Sequence, residues 1–440
     1  MSSDLAQPGV VQVVEADQTW RDGRFESGVQ VAIDSAGRIA EIGDLGREPD
    51  LRLAGRALLP GFVNAHSHAF QRGLRGHGER FPAGSGSFWT WREAMYGLVG
   101  RLDAERLFAL SRAAFDEMRD AGMTSVGEFH YLHHDDAAAF DFAFDRVVLE
   151  AAAASGIRIV LLQAYYRSGG IGRPLADTQR RFATSDPAAY WRQIDRLQEA
   201  LAGPGQSLGA VAHSIRAADP EEMEELHTEA RRRGMVFHLH LEEQRQEIEA
   251  CREAYGAAPI ELLLDRLEPG PETTAVHCTH TPATQLARWT GGGAGVCLCP
   301  LTEANLADGI ADLRSLDPAA TLCLGSDSNA RISMLEEMRW LEYVQRLAGE
   351  RRGVLTDGAG DTAPRLLACA TEHGANALGL DAGRIAVGRW ADFAVIDLAA
   401  PQLAGWTPES LAASLVLGAG DGVVAGTCVG GAWRWSSDPE

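Results

Sequence analysis

The longest part of the chain, residues 58–379, alternates short apolar runs with helical patterns. Stretches such as "DAERLFALSRAAFDEMRDAG" and "PEEMEELHTEARRRG" repeat apolar residues at helical spacing, and Gly122 and Gly234 stand where C-terminal caps belong. Between the helical patterns lie eight candidate strands, "ALLPGFVNAHSH", "TSVGEFHY", "IRIVLLQAY", "LGAVAHS", "MVFHLHLE", "TTAVHCTH", "GAGVCLCP" and "TLCLGSDS". Eight strands that alternate with helices predict an α/β fold, a parallel (β/α)8 TIM-like barrel over residues 58–379.

The two ends of the chain have a different pattern. Residues 1–57 contain "VVQVVEA" and "VQVAIDSAGRIAEIG", and residues 380–440 contain "GRWADFAVIDL" and "GVVAGTCVGGAWRW". These short alternating or apolar runs, broken by Gly and Asp, are typical of β-strands. We therefore expect a small β-sandwich domain that is built from both termini.

A long segment follows the first barrel strand. Residues 80–100, "RFPAGSGSFWTWREAMYGLVG", are rich in glycine and aromatic residues. Long insertions of this kind in a compact domain are usually functional, so we expect a lid or an interface element here.

Composition excludes several classes of function. The chain has 440 residues and a formal net charge of −21, which disfavours binding to nucleic acid or to anionic membranes. No apolar run reaches the roughly 18 residues of a membrane span. The start of the chain lacks the pattern of a secretory signal. Seven cysteines in a chain of this length do not form a disulfide framework, so a cytoplasmic location is expected.

The chain contains no lysine, so all 40 basic residues are arginine. This excludes chemistry that needs an amine side chain, such as a Schiff base or a carbamylated lysine that bridges two metals.

Titratable residues cluster at the predicted strand ends. The carboxyl ends of the strands form the active-site face of a barrel. The residues that fall there are His66 and His68 on strand one, His130 and Tyr131 on strand two, His213 on strand four, His240 on strand five, His277 on strand six and Asp327 on strand eight. Agreement among six strands favours a site over scattered core histidines.

This set contains the ligands that a catalytic zinc requires. Such an ion takes about three or four N or O ligands and keeps an open position. His66, His68, His240 and Asp327 supply three imidazoles and a carboxylate. His238 shares a strand face with His240, and we prefer His240 because it lies nearer the strand end. We expect one Zn²⁺ per subunit, with iron or another divalent metal as the alternative.

Two further residues complete the expected catalytic set. Glu243 lies where the chain turns into the loop over the site, and a carboxylate there can carry a proton. His277 is the candidate for orienting or polarising the reacting group. Cys297 and Cys299 are expected to fill the core, and His227, which has charged neighbours on a helix, is expected at the surface.

The motifs "PGFVNAHSH", "HLHLEE", "VHCTH", "GSDS" and "GRWADFAVID" resemble the amidohydrolase superfamily over nearly the whole chain. The resemblance implies that His66, His68, His240 and Asp327 hold the metal and that Glu243 is the proton shuttle. Members with two metals use a lysine from strand four, and this chain has "AHS" there. The resemblance therefore points to the mononuclear, deaminase-like branch.

Longer strings, "HSHAFQRGLRG", "FWTWREAMY", "GEFHYLHH", "HSIR" and "CPLTEANLADGI", resemble the formimidoylglutamate deiminases of histidine degradation. These enzymes hydrolyse N-formimino-L-glutamate to N-formyl-L-glutamate and ammonia. The resemblance implies a dicarboxylate substrate and a homodimer.

An acidic protein needs local cations to hold a substrate with two carboxylates. Arginine binds carboxylates through a two-point fork and keeps its charge. Arg216 is expected just above strand four, and Arg92 is expected to reach in from the long first loop, either of its own subunit or of a neighbour. Gln71, Tyr131 and His213 are expected to add hydrogen bonds.

Two other interpretations of the function stay open. The chain could be a deaminase of the same branch that acts on a purine- or pyrimidine-like ring, which Arg216 weakly disfavours. It could also be a metal-binding scaffold without catalysis, although the four ligands and Glu243 are all present.

Overall fold

A computed structural model describes residues 9–436 except 78, 80, 82, 83 and 85. Its central feature is a parallel barrel of eight strands, in which each strand pairs with the next along the chain. The strands are β6 (Phe62–Ser67), β7 (Met123–His130), β8 (Arg158–Tyr165), β9 (Gln206–Ala212), β10 (Phe237–Leu241), β11 (Thr273–His277), β12 (Gly295–Leu298) and β13 (Leu322–Leu324). Apart from the first two residues of β9, every residue of these strands is buried, as expected for strands covered on both faces.

The first and last strands of the barrel meet at the site predicted from sequence. The His68 backbone N–H donates to the Asp327 carbonyl at 2.9 Å, and the Asp327 N–H donates to the His66 carbonyl at 3.0 Å. The side chains of these three residues therefore project from the seam where the barrel closes.

Helices surround the barrel and follow its strands. They are α1 (Phe88–Val99), α2 (Ala104–Asp120), α3 (Ala143–Ser155), α4 (Pro187–Ala200), α5 (Pro220–Arg233), α6 (Arg245–Tyr255), α7 (Pro259–Leu267), α8 (Ala283–Gly291), α9 (Pro300–Leu306), α10 (Met334–Gly349), α11 (Thr362–Ala370), α12 (Glu372–Ala377) and α13 (Leu411–Gly418). Short 3₁₀ helices cover Ala69–Leu74, Asp177–Phe182, Pro401–Leu403 and Asp421–Val423. The predicted end of α5 at Gly234 is confirmed by its left-handed φ of 67°. Among the described residues, no helix combines the length and apolar character needed to cross a membrane.

The two ends of the chain form one mixed sheet of eight strands. These are β1 (Val10–Arg21), β2 (Arg24–Glu26), β3 (Gln30–Asp34), β4 (Ile39–Gly43), β5 (Leu51–Pro60), β14 (Phe393–Asp397), β15 (Val424–Val429) and β16 (Ala432–Trp435). The central pair β1 and β5 is parallel, and β14 then joins β5 in antiparallel register. The predicted fold class, a (β/α)8 barrel with a small β domain built from both termini, is confirmed, and the strands expected as a β-sandwich form one mixed sheet. The predicted boundaries after residues 57 and 379 stay predictions.

A single residue connects the sheet to the barrel. Gly61 lies between β5 and β6, and its N–H donates to the Asp392 carbonyl at 2.9 Å. A Cβ atom at this position would overlap the side chain of Thr124 on β7, so only glycine fits here.

A buried ion pair also joins the sheet to the barrel. Arg158, at the start of β8, donates through Nε to Asp392 Oδ2 at 2.8 Å and through Nη2 to Oδ1 at 3.1 Å. Its guanidinium lies 4.0 Å from the ring centroid of Trp390. This two-point pair satisfies both charges in a position that water does not reach.

Candidate metal centre and active site

The four predicted metal ligands converge at the closing seam of the barrel. Nε2 of His66 and Nε2 of His68 lie 3.3 and 3.2 Å from Asp327 Oδ1. Nε2 of His240 lies 3.2 Å from Nε2 of His66. All four side chains are buried.

These spacings fit a bound cation. Ligand atoms at roughly 2.0–2.1 Å from a tetrahedral zinc lie about 3.3 Å from one another. Without a cation the arrangement is unfavourable, because His68 donates through Nδ1 to a carbonyl, so the lone pair of its Nε2 faces a carboxylate oxygen in a buried site. The residues present therefore fit a divalent metal.

Hydrogen bonds orient two of the imidazoles for this purpose. Nδ1 of His68 lies 2.7 Å from the Phe129 carbonyl, and Nδ1 of His240 lies 3.1 Å from the His213 carbonyl. A carbonyl only accepts, so each Nδ1 carries the proton and each Nε2 presents a lone pair to the cluster. Nε2 of His238 instead lies 2.8 Å from the Ala377 carbonyl, so this imidazole bonds away from the cluster.

The pKa values of the ligand histidines suit metal binding. Burial lowers the pKa of His66 and of His240 well below the ordinary 6.5, and burial together with the nearby His66 lowers the pKa of His68 to about 3. All three are neutral at pH 7, which is the form that binds a metal.

His277 lies beside the cluster and differs from the ligands. It is grouped with His66, His240 and Asp327 by mutual spacing, and its ring stacks on His240 at 5.4 Å. Its Nδ1 lies 3.3 Å from Glu303 Oε1. Burial lowers its pKa, but the hydrogen bond that His277 donates to Glu303 and the charges of Glu243 and Asp327 outweigh burial and raise the pKa to about 10. The Glu303 carboxylate therefore engages Nδ1 of His277, while its Nε2 lies 3.8 Å from Asp327 Oδ2 and faces the cluster.

The backbone at these positions is held in an uncommon conformation. The φ angles of Glu242, His277 and Asp327 are 51°, 76° and 46°, in the left-handed region that few residues other than glycine adopt. Such strain costs on the order of 1–3 kcal/mol per residue and concentrates at functional sites. Here it turns the chain at three strand ends, so that Glu243, His277 and Asp327 all line one cavity.

Glu243 is paired with an arginine. Its Oε2 accepts from Nη2 of Arg216 at 2.7 Å, and Glu247 Oε2 lies 3.6 Å from Nε of the same arginine. Sequence reasoning missed Glu247. Its position one turn beyond Glu243, on the inner face of α6, was the available signal.

The five predicted substrate-binding residues line the same cavity as the metal cluster. They are Gln71, Arg92, Tyr131, His213 and Arg216. Nε2 of Gln71 donates to the Tyr131 hydroxyl at 2.7 Å, and Nη2 of Arg92 lies 3.3 Å from the Tyr166 hydroxyl. The cavity therefore combines a metal site with two arginines and several uncharged donors.

Part of the predicted lid forms the cavity wall. Helix α1 contributes Phe88, Trp91, Arg92, Met95 and Tyr96 to the lining. Residues 80, 82, 83 and 85 of the predicted segment lie outside the described residues. Tyr166, Phe182 and Leu306 also line the cavity and were not predicted.

The histidine of strand two does not reach the metal cluster. His130 Nε2 lies 3.2 Å from Asp145 Oδ1 in a second buried group. His133 Nδ1 lies 2.8 Å from the same oxygen, and its Nε2 lies 2.7 Å from the Ala164 carbonyl. Both ring nitrogens of His133 therefore have partners within this second group, away from the metal cluster. His130 was expected at the active-site face, whereas Tyr131, the next residue, is the one that faces the cavity.

The expectation that His227 lies at the surface is wrong. Only 2% of the residue is exposed, and its Nε2 lies 2.9 Å from Thr273 Oγ1. His227 belongs to the inner face of α5, together with Met223, Leu226 and Ala230. The helical period predicts this face, and the charged neighbours obscured it.

The chain is similar to known proteins in both sequence and structure. Residues 57–434 match the family described as the amidohydrolase family. The chain is 37% identical over 423 residues to formimidoylglutamate deiminase of Pseudomonas aeruginosa, covering 94% of this chain and 91% of that protein. It is 30% identical over 385 residues to 5-methylthioadenosine/S-adenosylhomocysteine deaminase of Natronomonas pharaonis, covering 85% and 80%. The crystal structure of an amidohydrolase from Brucella melitensis superposes with a TM-score of 0.87 at 32% identity, covering 97% and 95%.

Proposed function

The chain belongs to the amidohydrolase family, and from that premise we propose that it hydrolyses N-formimino-L-glutamate to N-formyl-L-glutamate and ammonia. The observation that carries the proposal is the pair Arg92 and Arg216 in the cavity that holds the metal cluster. A substrate with two carboxylates and one reactive amidine matches two guanidinium groups and one metal. The relative from Pseudomonas aeruginosa, named formimidoylglutamate deiminase, supports the same substrate.

We assign one Zn²⁺ per subunit to His66, His68, His240 and Asp327, because imidazole nitrogen and carboxylate oxygen at these spacings suit that ion. Iron or another divalent metal is the alternative. The metal, when bound, acts as a Lewis acid and lowers the pKa of a water molecule toward neutrality.

Glu243 moves the proton in this proposal. It accepts a proton from the attacking water and delivers it to the terminal nitrogen of the formimino group. The water oxygen forms a bond to the formimino carbon. Glu243 then passes the remaining proton of that oxygen to the same nitrogen, the bond from the carbon to the terminal nitrogen breaks as the C=O bond forms, and ammonia leaves. Asp327 helps to hold the water, and His277 donates a hydrogen bond to the water oxygen as it bonds to the formimino carbon.

The remaining residues position the substrate. Arg216 binds one carboxylate, and Arg92 on α1 binds the other. Gln71, Tyr131 and His213, which line the same cavity, add hydrogen bonds. The separation between the metal site and the two arginines selects substrates of matching length and orients them.

A second candidate function is deamination of a purine-like ring. The 30% identity to the Natronomonas pharaonis deaminase favours it. Arg92 in the cavity counts against it, because among the described residues no carboxylate pairs with this guanidinium, and a neutral ring would supply none.

The experiment is ammonia release by the purified, zinc-loaded protein. N-Formimino-L-glutamate is compared with 5-methylthioadenosine, adenine, guanine and cytosine at equal concentration. We expect rapid release from N-formimino-L-glutamate alone. Release from a ring substrate instead would establish the second candidate, and metal content with no release from any substrate would favour a scaffold.

The expected homodimer rests on the resemblance alone. Sedimentation velocity of the zinc-loaded protein measures it directly, and a single species of monomer mass would contradict it.

A further inference from the structure

The guanidinium of Arg216 lies between two buried carboxylates. Glu243 bonds to Nη2 at 2.7 Å, and Glu247 approaches Nε at 3.6 Å. The exposed fractions of the side chains of Arg216, Glu243 and Glu247 are 11%, 7% and 0%. One positive charge therefore already faces two negative groups before any substrate carboxylate is considered.

The two carboxylates are not held equally. Glu247 Oε1 also accepts from the Glu242 backbone N–H at 3.4 Å. Within the described part of the chain, the Glu243 carboxylate has no hydrogen-bond or ion-pair partner other than Arg216. Glu243 can therefore leave the arginine, while Glu247 and Ser214 Oγ, 3.3 Å from Nε, retain it.

Guanidinium geometry creates a conflict with the substrate. A carboxylate that binds arginine at two points uses either Nε with Nη2 or Nη1 with Nη2. Both edges include Nη2, the nitrogen that bonds Glu243. Nη2 has one N–H on each edge, so a substrate carboxylate on either edge lies beside the Glu243 carboxylate, and their repulsion is strong because these side chains are largely buried.

We propose that the substrate carboxylate displaces Glu243 from Arg216, and that this displacement frees Glu243 to act as the proton carrier. The inference rests on the proposed function, since it takes Arg216 as the carboxylate site and Glu243 as the carrier. It assigns Glu247 a positioning role, as the counter-ion that keeps Arg216 in place during the exchange. Its consequence is specificity: an amidine without a carboxylate leaves Glu243 bound to Arg216 and reacts slowly.

A binding experiment tests the competition without turnover. N-Formyl-L-glutamate is titrated calorimetrically into metal-stripped wild type, Glu243→Gln and Glu253→Gln. Glu253 is an exposed carboxylate in the groove that Arg92 and Arg216 also line, so its variant controls for the loss of one charge. We expect Glu243→Gln to bind about tenfold more tightly than the control. Equal or weaker binding, or no detectable binding to either variant, would overturn the competition.

A kinetic experiment tests the release of Glu243. Zinc-loaded wild type is given N-propylformamidine, which carries the reactive group without a carboxylate, with and without acetate. Acetate at Arg216 should free Glu243, so we expect a saturable rise in ammonia release of about tenfold. Arg216→Met should not respond to acetate. Inhibition by acetate, or no effect on wild type, would overturn the proposal without any dependence on the folding of a variant.

Different results would remove the proposed function and the coupling through Arg216. Absence of ammonia release from N-formimino-L-glutamate by wild type would remove the proposed function. Normal release from that substrate without activation by acetate would remove only the coupling through Arg216.

Discussion

At the scale of single residues, Arg216 is the one hydrogen-bond or ion-pair partner of the Glu243 carboxylate among the described residues, yet the charge of Glu243 acts on both His66 and His277. It therefore lies within reach of both the recognition site and the reacting centre. This position distinguishes it from Glu247 and Glu303, whose oxygens also accept backbone N–H groups.

Replacing Glu243 by Gln tests its role directly. We expect kcat for N-formimino-L-glutamate to fall by about 10²–10⁴-fold, because an amide cannot carry the proton. Zinc content, measured by mass spectrometry, should stay at the wild-type level, since Glu243 is not among the ligands. Turnover close to wild type with the metal retained would remove Glu243 from this role, and Glu253→Gln serves as the matched control.

The buried His227 predicts a pH dependence of stability. Burial lowers its pKa from 6.5 to about 4, against the opposing charge of Glu272 and together with that of Arg231. Above pH 6.5 this histidine is neutral in both the folded and the unfolded chain. As the pH falls from 6.5 to 4, only the unfolded chain binds the proton. The free energy of unfolding therefore falls by up to about 3 kcal/mol.

The variant His227→Gln keeps a donor for Thr273 and removes the titration. Its free energy of unfolding, from urea titrations at pH 7, 5.5 and 4, should fall less steeply with acid than that of wild type. His77→Gln, which alters an exposed histidine, should keep the wild-type slope. Parallel slopes for wild type and His227→Gln would contradict the prediction.

Whether a residue of the site can be predicted from sequence depends on the element that positions it. His66, His68, His240 and Asp327 were found because the carboxyl ends of parallel strands converge whatever the loops do. Glu247 and Glu303 come from helices that follow the strands, so their approach depends on loop geometry that no local pattern encodes.

At the scale of secondary-structure elements, long apolar runs and helical periods were sufficient to predict the eight barrel strands and the terminal β-strands. Their packing against each other was not predictable. Arg158 and Asp392 are far apart in sequence, and neither lies in a motif, although their pair joins β8 to the terminal sheet.

Removing one partner of the Arg158–Asp392 ion pair should lower the free energy of unfolding more than replacing both partners. Asp392→Leu leaves a buried guanidinium without a partner and should lower the free energy of unfolding by about 3–5 kcal/mol. The double variant Arg158→Met with Asp392→Leu should recover much of that loss, because no charge stays buried. Urea unfolding of the two single variants and the double variant measures the coupling. Additive losses would show that the two side chains do not interact.

At the scale of the whole molecule, the metal ligands tie β6, β10 and β13 together at one point. A metal that binds only the folded chain stabilises it by mass action. Removal with a chelator should therefore cost about 4 kcal/mol if free metal had stood a thousandfold above its Kd. The melting temperature should fall on chelation and return on addition of zinc.

Glu243→Gln is the matched control for this prediction as well, because it keeps all four ligands and should show the same shift in melting temperature. An unchanged melting temperature after complete removal of metal would contradict the assignment of the centre to the barrel seam.

The seam itself sets an order of events during biosynthesis. His66 leaves the ribosome early, whereas Asp327 and the strand that precedes it are made only after most of the barrel. The partner of β5 in the terminal sheet, β14, is made later still. A nascent chain therefore cannot assemble the complete donor set until the last barrel strand and Asp327 have left the ribosome. A chain stalled before Asp327 would bind the ion with an incomplete set of ligands.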